Sequence, residues 1–271
     1  NYIEAMNYSI KRLEKLPLSS RLIREAHQIL LKGVRGKNKL PGEFRTSQNW
    51  IGGATINDAT FVPPHHTLVP ELIGDLEKFL NNKDIKVPHL IRIGMAHYQF
   101  EAIHPFLDGN GRIGRLLITL YLVYHGLLSK PTLYLSDFIE KNKSTYYDNL
   151  IRVSEKSAME QWLKFFLVGI IETAKVAIDT FNRIIALREK LEKETIVSLG
   201  KRIPNAKALL TYLYSKPIVT VADVMSNLEV TKPTANTLIK DFYNLGIMKE
   251  QTGFRRNRIF VFTEYLKLFE R

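Results

Sequence analysis

Apolar residues recur along most of this chain with the 3.6-residue period of helices that bury one face. Leu22, Ile23, Ala26, Ile29 and Leu30 follow that spacing behind Ser19 or Ser20, either of which can cap the first turn, and Gly33 and Gly36 mark its end. Pro70 and Pro88 stand near the starts of two more helices, where a missing N–H costs nothing. The second carries Leu90, Ile91, Ile93 and Ala96 and runs on to Phe100. From Arg115 to about His125 the residues are apolar on most faces, which predicts a central, buried helix. Further helices are predicted near 143–155 and over about 158–194.

Two stretches break the pattern. Residues 37–66 have no helical period and hold Pro41, Gly42, Gly52, Gly53, Pro63 and Pro64. Within them Ala54-Thr55-Ile56 and Ala59-Thr60-Phe61-Val62 flank Asn57-Asp58, which predicts a tight β-hairpin. So long a loop inside a helical domain is uncommon and is often functional. The second break, at about 195–203, holds Ser198 and Gly200 and ends at Pro204; a domain boundary is expected there. The chain then divides into a mainly α domain at 1–197 and a small α+β domain at 204–271. In the latter, helices near 204–214, 220–227 and 231–245 precede two β-rich runs at 247–250 and 258–262 around Gly253. Helix, helix–turn–helix and two-stranded wing is the order of a winged helix, although many small α+β domains share it.

With 45% hydrophobic and 24% charged residues among 271, the chain reads as an ordinary globular protein. It contains no cysteine, which excludes disulfides, thiol nucleophiles and cysteine-ligated zinc and makes a reducing cytoplasm its expected location. No apolar run reaches the roughly 18 residues of a membrane span, so no membrane partner is expected. The chain opens on Asn1, not on Met. A net charge of +12 suits either a polyanionic partner or simple solubility.

The chemistry concentrates in His104-Pro105-Phe106-Leu107-Asp108-Gly109-Asn110-Gly111-Arg112-Ile113-Gly114-Arg115. Glycines that feed a helix N-terminus expose successive N–H groups and let phosphate approach the backbone. Arg112 and Arg115, three residues apart, share a helix face and suit a forked clamp on a polyphosphate. Asp108 is a hard oxygen ligand of the kind Mg²⁺ takes. His104 is the group here able to act as a general base near neutral pH. Three other readings compete: a dinucleotide fingerprint over Gly109, Gly111 and Gly114, which would need a preceding strand; metal ligation by His97, Glu101 and His104; and a plain connecting loop.

His104–Arg115 resembles the signature loop of the Fic (filamentation induced by cAMP) family, H-P-F-x-D/E-G-N-G-R-x-x-R, at every defined position. The resemblance extends over roughly residues 1–195 and includes Pro41-Gly42-Glu43-Phe44-Arg45 and Phe61-Val62-Pro63-Pro64. It implies a helical bundle with a β-hairpin flap, and transfer of AMP from Mg-ATP to Ser, Thr or Tyr hydroxyls of target proteins. By the same resemblance His104 would take the hydroxyl proton and Asp108 would hold Mg²⁺. The amides around Gly109, Asn110 and Gly111 would form an anion hole, Arg112 and Arg115 would grip the β- and γ-phosphates, and Phe106 would be a buried anchor. In a phosphate-transferring relative the second glycine of the G-N-G run is lysine; here it is Gly111, which implies AMP as the transferred group. Transfer of UMP or phosphate, and removal of AMP, stay open.

Tyr146, Tyr147 and Asn149 lie where related proteins place nucleoside-binding residues. Thr55, Ile56, Thr60 and Phe61 fall in the flap, whose strand edge would hold the target by β-augmentation. The family's inhibitory motif, S/T-x-x-x-E-G/N, has no match in the chain. Residues 1–16 resemble the segment C-terminal to that inhibitory helix in one subgroup, which leaves open an inhibitory element upstream of Asn1 or on a partner. From Lys201 onward there are twelve Lys/Arg against six Asp/Glu. Lys232 and Lys240 would lie on a recognition helix and Arg255, Arg256 and Arg258 in the wing, as DNA binding requires. A protein-contact role for that domain, a DNA-binding regulator with a sensor core, and a homodimer are also compatible.

Overall fold

The computed structural model describes residues 1–33, 39–254 and 256–270. It forms two compact units, Asn1–Lys175 and Val176–Arg271. Among the described residues no helix is long and apolar enough to cross a membrane.

The first unit is helical. Helix α1 (Tyr2–Leu13) packs beside α2 (Ser20–Leu30), and Tyr8 and Arg12 of α1 both donate to the Glu25 carboxylate of α2. The Ser19 hydroxyl accepts the Leu22 N–H at 3.4 Å, satisfying one of the orphan donors of the first turn. Then come α3 (Val69–Asn81), α4 (His89–Ile103), α5 (Asn110–Tyr124), α6 (Ser136–Lys141), α7 (Lys143–Lys156) and α8 (Met159–Lys190), the last crossing into the second unit. Helix α5 is buried nearly all round through Leu116, Leu117, Ile118, Leu120 and Tyr121, the central position its sequence predicts. Helices α4 and α8 approach closely because Gly94 offers no side chain: a Cβ there would lie 2.9 Å from Leu163 and Phe166. The Trp162 indole N–H donates to the Gly94 carbonyl across the same contact.

Helix α5 starts at Asn110, earlier than Arg115, because Gly109 adopts a left-handed conformation (φ 83°) and turns the chain directly into the helix. The expected hairpin also takes another form. Ile56–Asp58 is a tight 3₁₀ turn, and the pairing that closes the segment is one antiparallel bridge between Ile51 and Phe61. Asp58 causes the difference, since its carboxylate accepts the N–H groups of Ala54 and Thr55 and the Thr55 hydroxyl.

In the second unit, Leu191–Thr195 continues from α8 as a π-helical turn, and Gly200 (φ 54°, ψ −121°) kinks the following Ile196–Arg202 stretch. The break expected at 195–203 is therefore a change of helical geometry that lies inside this unit. Helix α9 (Ile203–Ser215) leads to β1 (Ile218–Thr220), α10 (Val221–Leu228), α11 (Lys232–Asn244), β2 (Lys249–Glu250), β3 (Ile259–Val261) and α12 (Thr263–Lys267). The strands form a small antiparallel sheet in the order β1-β3-β2, with Val219 opposite Phe260. Leu209, Leu213, Val224, Leu238, Phe242 and Phe260 fill the core beneath it.

Candidate active site

The site is built where α4 stops and α5 begins. Pro105 cannot extend a helix and disfavours helical backbone in the residue before it. The helix ends there, and His104 leaves α4 with left-handed dihedrals, φ 49° and ψ 60°. Asn110 then folds the loop on itself: its side-chain NH₂ donates to the Phe106 carbonyl at 2.7 Å, and its Oδ1 accepts the Phe106 N–H at 2.8 Å. The Phe106 ring is fully buried and stacks on His27 with centroids 3.7 Å apart. His27 had no signal in the sequence beyond its place on an apolar helix face. The Gly42 N–H donates to its Nδ1, so its Nε2 carries the proton and donates to the Asp108 carbonyl at 2.9 Å.

His104 faces a cleft of about 530 Å³ lined also by Glu101 and Ala102 of α4, Gly111 of α5, and Ile51, Gly52, Thr60 and Phe61 of the bridged segment. Tyr147, Asp148, Leu150, Ile151 and Ser154 of α7 form the opposite wall. The Nδ1–H of His104 donates to the Glu101 carbonyl at 3.3 Å, an acceptor only, which leaves Nε2 unprotonated. Burial, reinforced by the charge of Arg45, lowers the His104 pKa to about 4. The ring is thus neutral and able to accept a proton at any pH near 7.

Beside it, Glu101 is nearly buried, and its Oε1 has no hydrogen-bond partner. Burial pushes its pKa up to about 7 against the opposing charge of Arg115. His97 is fully buried; its Nδ1 donates to the Gly114 carbonyl at 3.1 Å and its Nε2 accepts from the Tyr146 hydroxyl at 3.0 Å. With both its nitrogens engaged and His104 turned out of the helix, the His97, Glu101 and His104 metal reading does not fit. A dinucleotide fingerprint does not fit either, because the element before the loop is α4 and not a strand.

Asp108 is half exposed and lies 3.4 Å from Arg112, with Oδ1 also accepting the Gly109 N–H at 2.6 Å. The Gly109 amide, expected in an anion hole, is therefore satisfied within the loop. The N-terminus of α5 carries no side-chain cap, so the Asn110, Gly111 and Arg112 amides remain directed outward from its first turn. Arg115 Nε is buried without a partner, and its Nη1 lies so close to Gly111 that a Cβ there would sit 3.2 Å away. Uncapped amides, an orphaned guanidinium N–H and one accessible carboxylate suit a polyphosphate with a hard divalent ion.

The nucleoside candidates separate. Tyr147 lines the cleft, whereas Tyr146 and Asn149 are buried, the former held by His97 and the latter donating to the Thr145 carbonyl. Tyr98 and Ser154, joined by a 2.9 Å hydrogen bond, line the cleft without having been expected. Of the flap candidates Thr60 and Phe61 reach the cleft; Thr55 and Ile56 sit on the exposed turn. In the second unit Lys232, Lys240, Arg256 and Arg258 are exposed, and Arg255 lies outside the described residues.

Residues 17–122 match the family model of the Fic/DOC family. The protein adenylyltransferase Fic of Drosophila erecta is 28% identical over 163 residues, 59% of this chain and 30% of that protein. The protein adenylyltransferase Fic of Aedes aegypti is 33% identical over 125 residues, 46% and 22% of the two chains. The match thus spans less than a third of either relative's length. In fold, the chain resembles a Fic family protein from Desulfovibrio desulfuricans (TM-score 0.56, 19% identity, 96% of this chain and 74% of that one). A Fic domain containing signaling protein from Bacteroides thetaiotaomicron is also similar (TM-score 0.50, 22% identity, 66% and 70% covered).

Proposed function

We propose that this chain, a Fic/DOC family protein through residues 17–122, transfers AMP from Mg-ATP to hydroxyl side chains of other proteins. The observation that carries the reading is the placement of an unprotonated His104 Nε2 in the same cleft as Gly111 at the uncapped start of α5. A target hydroxyl in the cleft would give its proton to Nε2 as its oxygen attacks the α-phosphorus. The bond from that phosphorus to the α,β-bridging oxygen breaks, and pyrophosphate leaves. The α5 amides and Arg112 and Arg115 would hold the phosphates, and Asp108 would hold Mg²⁺, which when bound neutralises charge on the α- and β-phosphates. Thr60 and Phe61 at the cleft edge would present the target segment, and Tyr147 would border the nucleoside.

The test is incubation with α-labelled and with γ-labelled ATP, Mg²⁺ and cell lysate. Label is expected from the α position alone and none from His104→Ala, although that variant should still bind ATP. Transfer by His104→Ala at the wild-type rate would overturn the role of the histidine. Transfer of the γ label would make the protein a kinase.

A second reading concerns the C-terminal unit. Lys232 and Lys240 are exposed on α11, and Arg256 and Arg258 are exposed in the β2–β3 connection. With α9, α10, α11 and the short sheet they fit a winged-helix module that grips the phosphates of DNA. Salt-sensitive retention on duplex DNA is the expected result.

A further inference from the structure

Arg45 is 2% exposed, and among the described residues it makes no ion pair. A buried guanidinium without a carboxylate persists only if its N–H groups are satisfied otherwise. Here they are satisfied by backbone carbonyls. Its Nε donates to the His104 carbonyl at 2.9 Å, and its Nη2 to the Ile103 carbonyl at 3.3 Å. Its own backbone N–H donates to the Pro105 carbonyl at 2.8 Å. Three consecutive carbonyls, those of residues 103, 104 and 105, therefore converge on one residue. In a straight helix they would run parallel and in a strand they would point to opposite sides. They converge because His104 turns the chain with φ 49°, a conformation that non-glycine residues seldom adopt and keep only when their surroundings hold it. The cation also sits at the C-terminal end of α4, where the helix dipole favours positive charge. The remaining bonds go elsewhere: Nη1 donates to the Ser47 carbonyl and Nη2 to the Pro64 carbonyl, on either side of the bridged segment.

We propose that Arg45 is a positioning residue for His104, holding the left-handed turn that aims the imidazole into the cleft and tying it to both ends of the 47–64 segment. The inference rests on the adenylyl-transfer reading only for its catalytic consequence; the conformational part stands apart from it. A lysine in this place keeps the charge but cannot reproduce the planar fork that reaches carbonyls in several directions.

The experiment uses the full chain with its histidines isotopically labelled and reads the His104 backbone and ring resonances, identified by their loss in His104→Ala. In Arg45→Lys and Arg45→Ala those resonances should move away from the left-handed position, while the other histidines remote from the loop stay in place. In the transfer assay kcat should fall by tenfold or more, with the KM for ATP nearly unchanged, because the hydrogen bonds of Arg45 go to residues 47, 64 and 103–105 and not to the start of α5. Guanidinium ion added to Arg45→Ala should restore part of kcat, and urea at the same concentration should not. Should Arg45→Ala fail to fold, Arg45→Lys carries the test. A folded Arg45→Lys with unshifted His104 resonances and unchanged kcat would overturn the proposal. If instead wild type transfers nothing from ATP, the adenylyl-transfer reading fails, and the resonances alone still decide the role of Arg45.

Discussion

His104, proposed above as a general base, sits in an unusual electrostatic setting for that role. Its ring is held neutral to about pH 4 by burial and by Arg45, with the Nδ1 proton committed to the Glu101 carbonyl. The acid limb of kcat/KM should therefore lie well below 6.5, the ordinary histidine value, and fall toward 4. A limb at or above 6.5, measured at saturating Mg²⁺, would contradict this assignment. Gly114 gives a second residue-level expectation. A Cβ there would meet Glu101 Oε1 at 2.2 Å and His97 Cε1 at 3.2 Å, and His97 is fully buried with little room to yield. Gly114→Ala should destabilise the first unit by about 1–3 kcal/mol through overpacking. Denaturant unfolding followed by tryptophan fluorescence measures this directly, because both tryptophans, Trp50 and Trp162, lie in that unit.

Among the elements, the segment between Ile51 and Phe61 is the one whose form departs most from its sequence pattern. The β-branched and aromatic residues Thr55, Ile56, Thr60, Phe61 and Val62 read as two strands. A carboxylate three residues from Thr55 outcompeted that propensity by capping the turn itself. What remains is a single bridge, closed by the Ile51 N–H to the Phe61 carbonyl at 2.9 Å and by the Phe61 N–H in return at 3.1 Å. Gly52 lies next to it at φ +73°, and a Cβ there would come 2.2 Å from Thr60 Oγ1. Gly52→Ala should open the bridge and displace Thr60 from the cleft. On the adenylyl-transfer reading, transfer to protein targets should drop severalfold while ATP affinity is kept, as comparison of target labelling with nucleotide binding would reveal. Equal loss of both would mean that the segment serves the nucleotide instead.

On the scale of the whole molecule, three buried groups set opposing pH limits on the first unit. His97 and His104 have folded pKa values of about 4, below the usual 6.5, so the stability they contribute is complete above 6.5 and is lost as pH falls toward 4. Glu101 is raised from 4.5 to about 7, so its contribution is complete below 4.5 and is lost as pH rises through 7. Stability from these groups should peak near neutrality, and Glu101→Gln should remove the alkaline decline, as unfolding midpoints across pH would reveal. If the second unit grips DNA as proposed, replacing Arg255, Arg256 and Arg258 with Ala should flatten the salt dependence of that binding by about one log–log unit per lost phosphate contact. An unchanged slope would point to a protein-contact module.

The order of helices from α2 to α5, the buried character of α5 and the loop from His104 to Arg115 were legible in the sequence because each depends on local terms. Apolar period, proline placement and glycine-rich phosphate chemistry act over a few residues. Helix α6 and strand β1 carried too few periodic residues to register, and β1 exists only because β3, more than 35 residues later, supplies its hydrogen bonds. The division of Tyr146 and Asn149 from Tyr147 was also out of reach. All three sit within one turn of α7, and what separates them is which side faces His97 and the core and which faces the cleft. The roles of His27 and Arg45 belong to the same class: Arg45 stands in a segment that carries the resemblance, but what either side chain does depends on partners 81 and 59 residues away at Asp108 and His104. Local sequence placed the candidate site groups, and tertiary packing alone chose the distant side chains that orient them, because those hydrogen bonds join segments that only folding brings together.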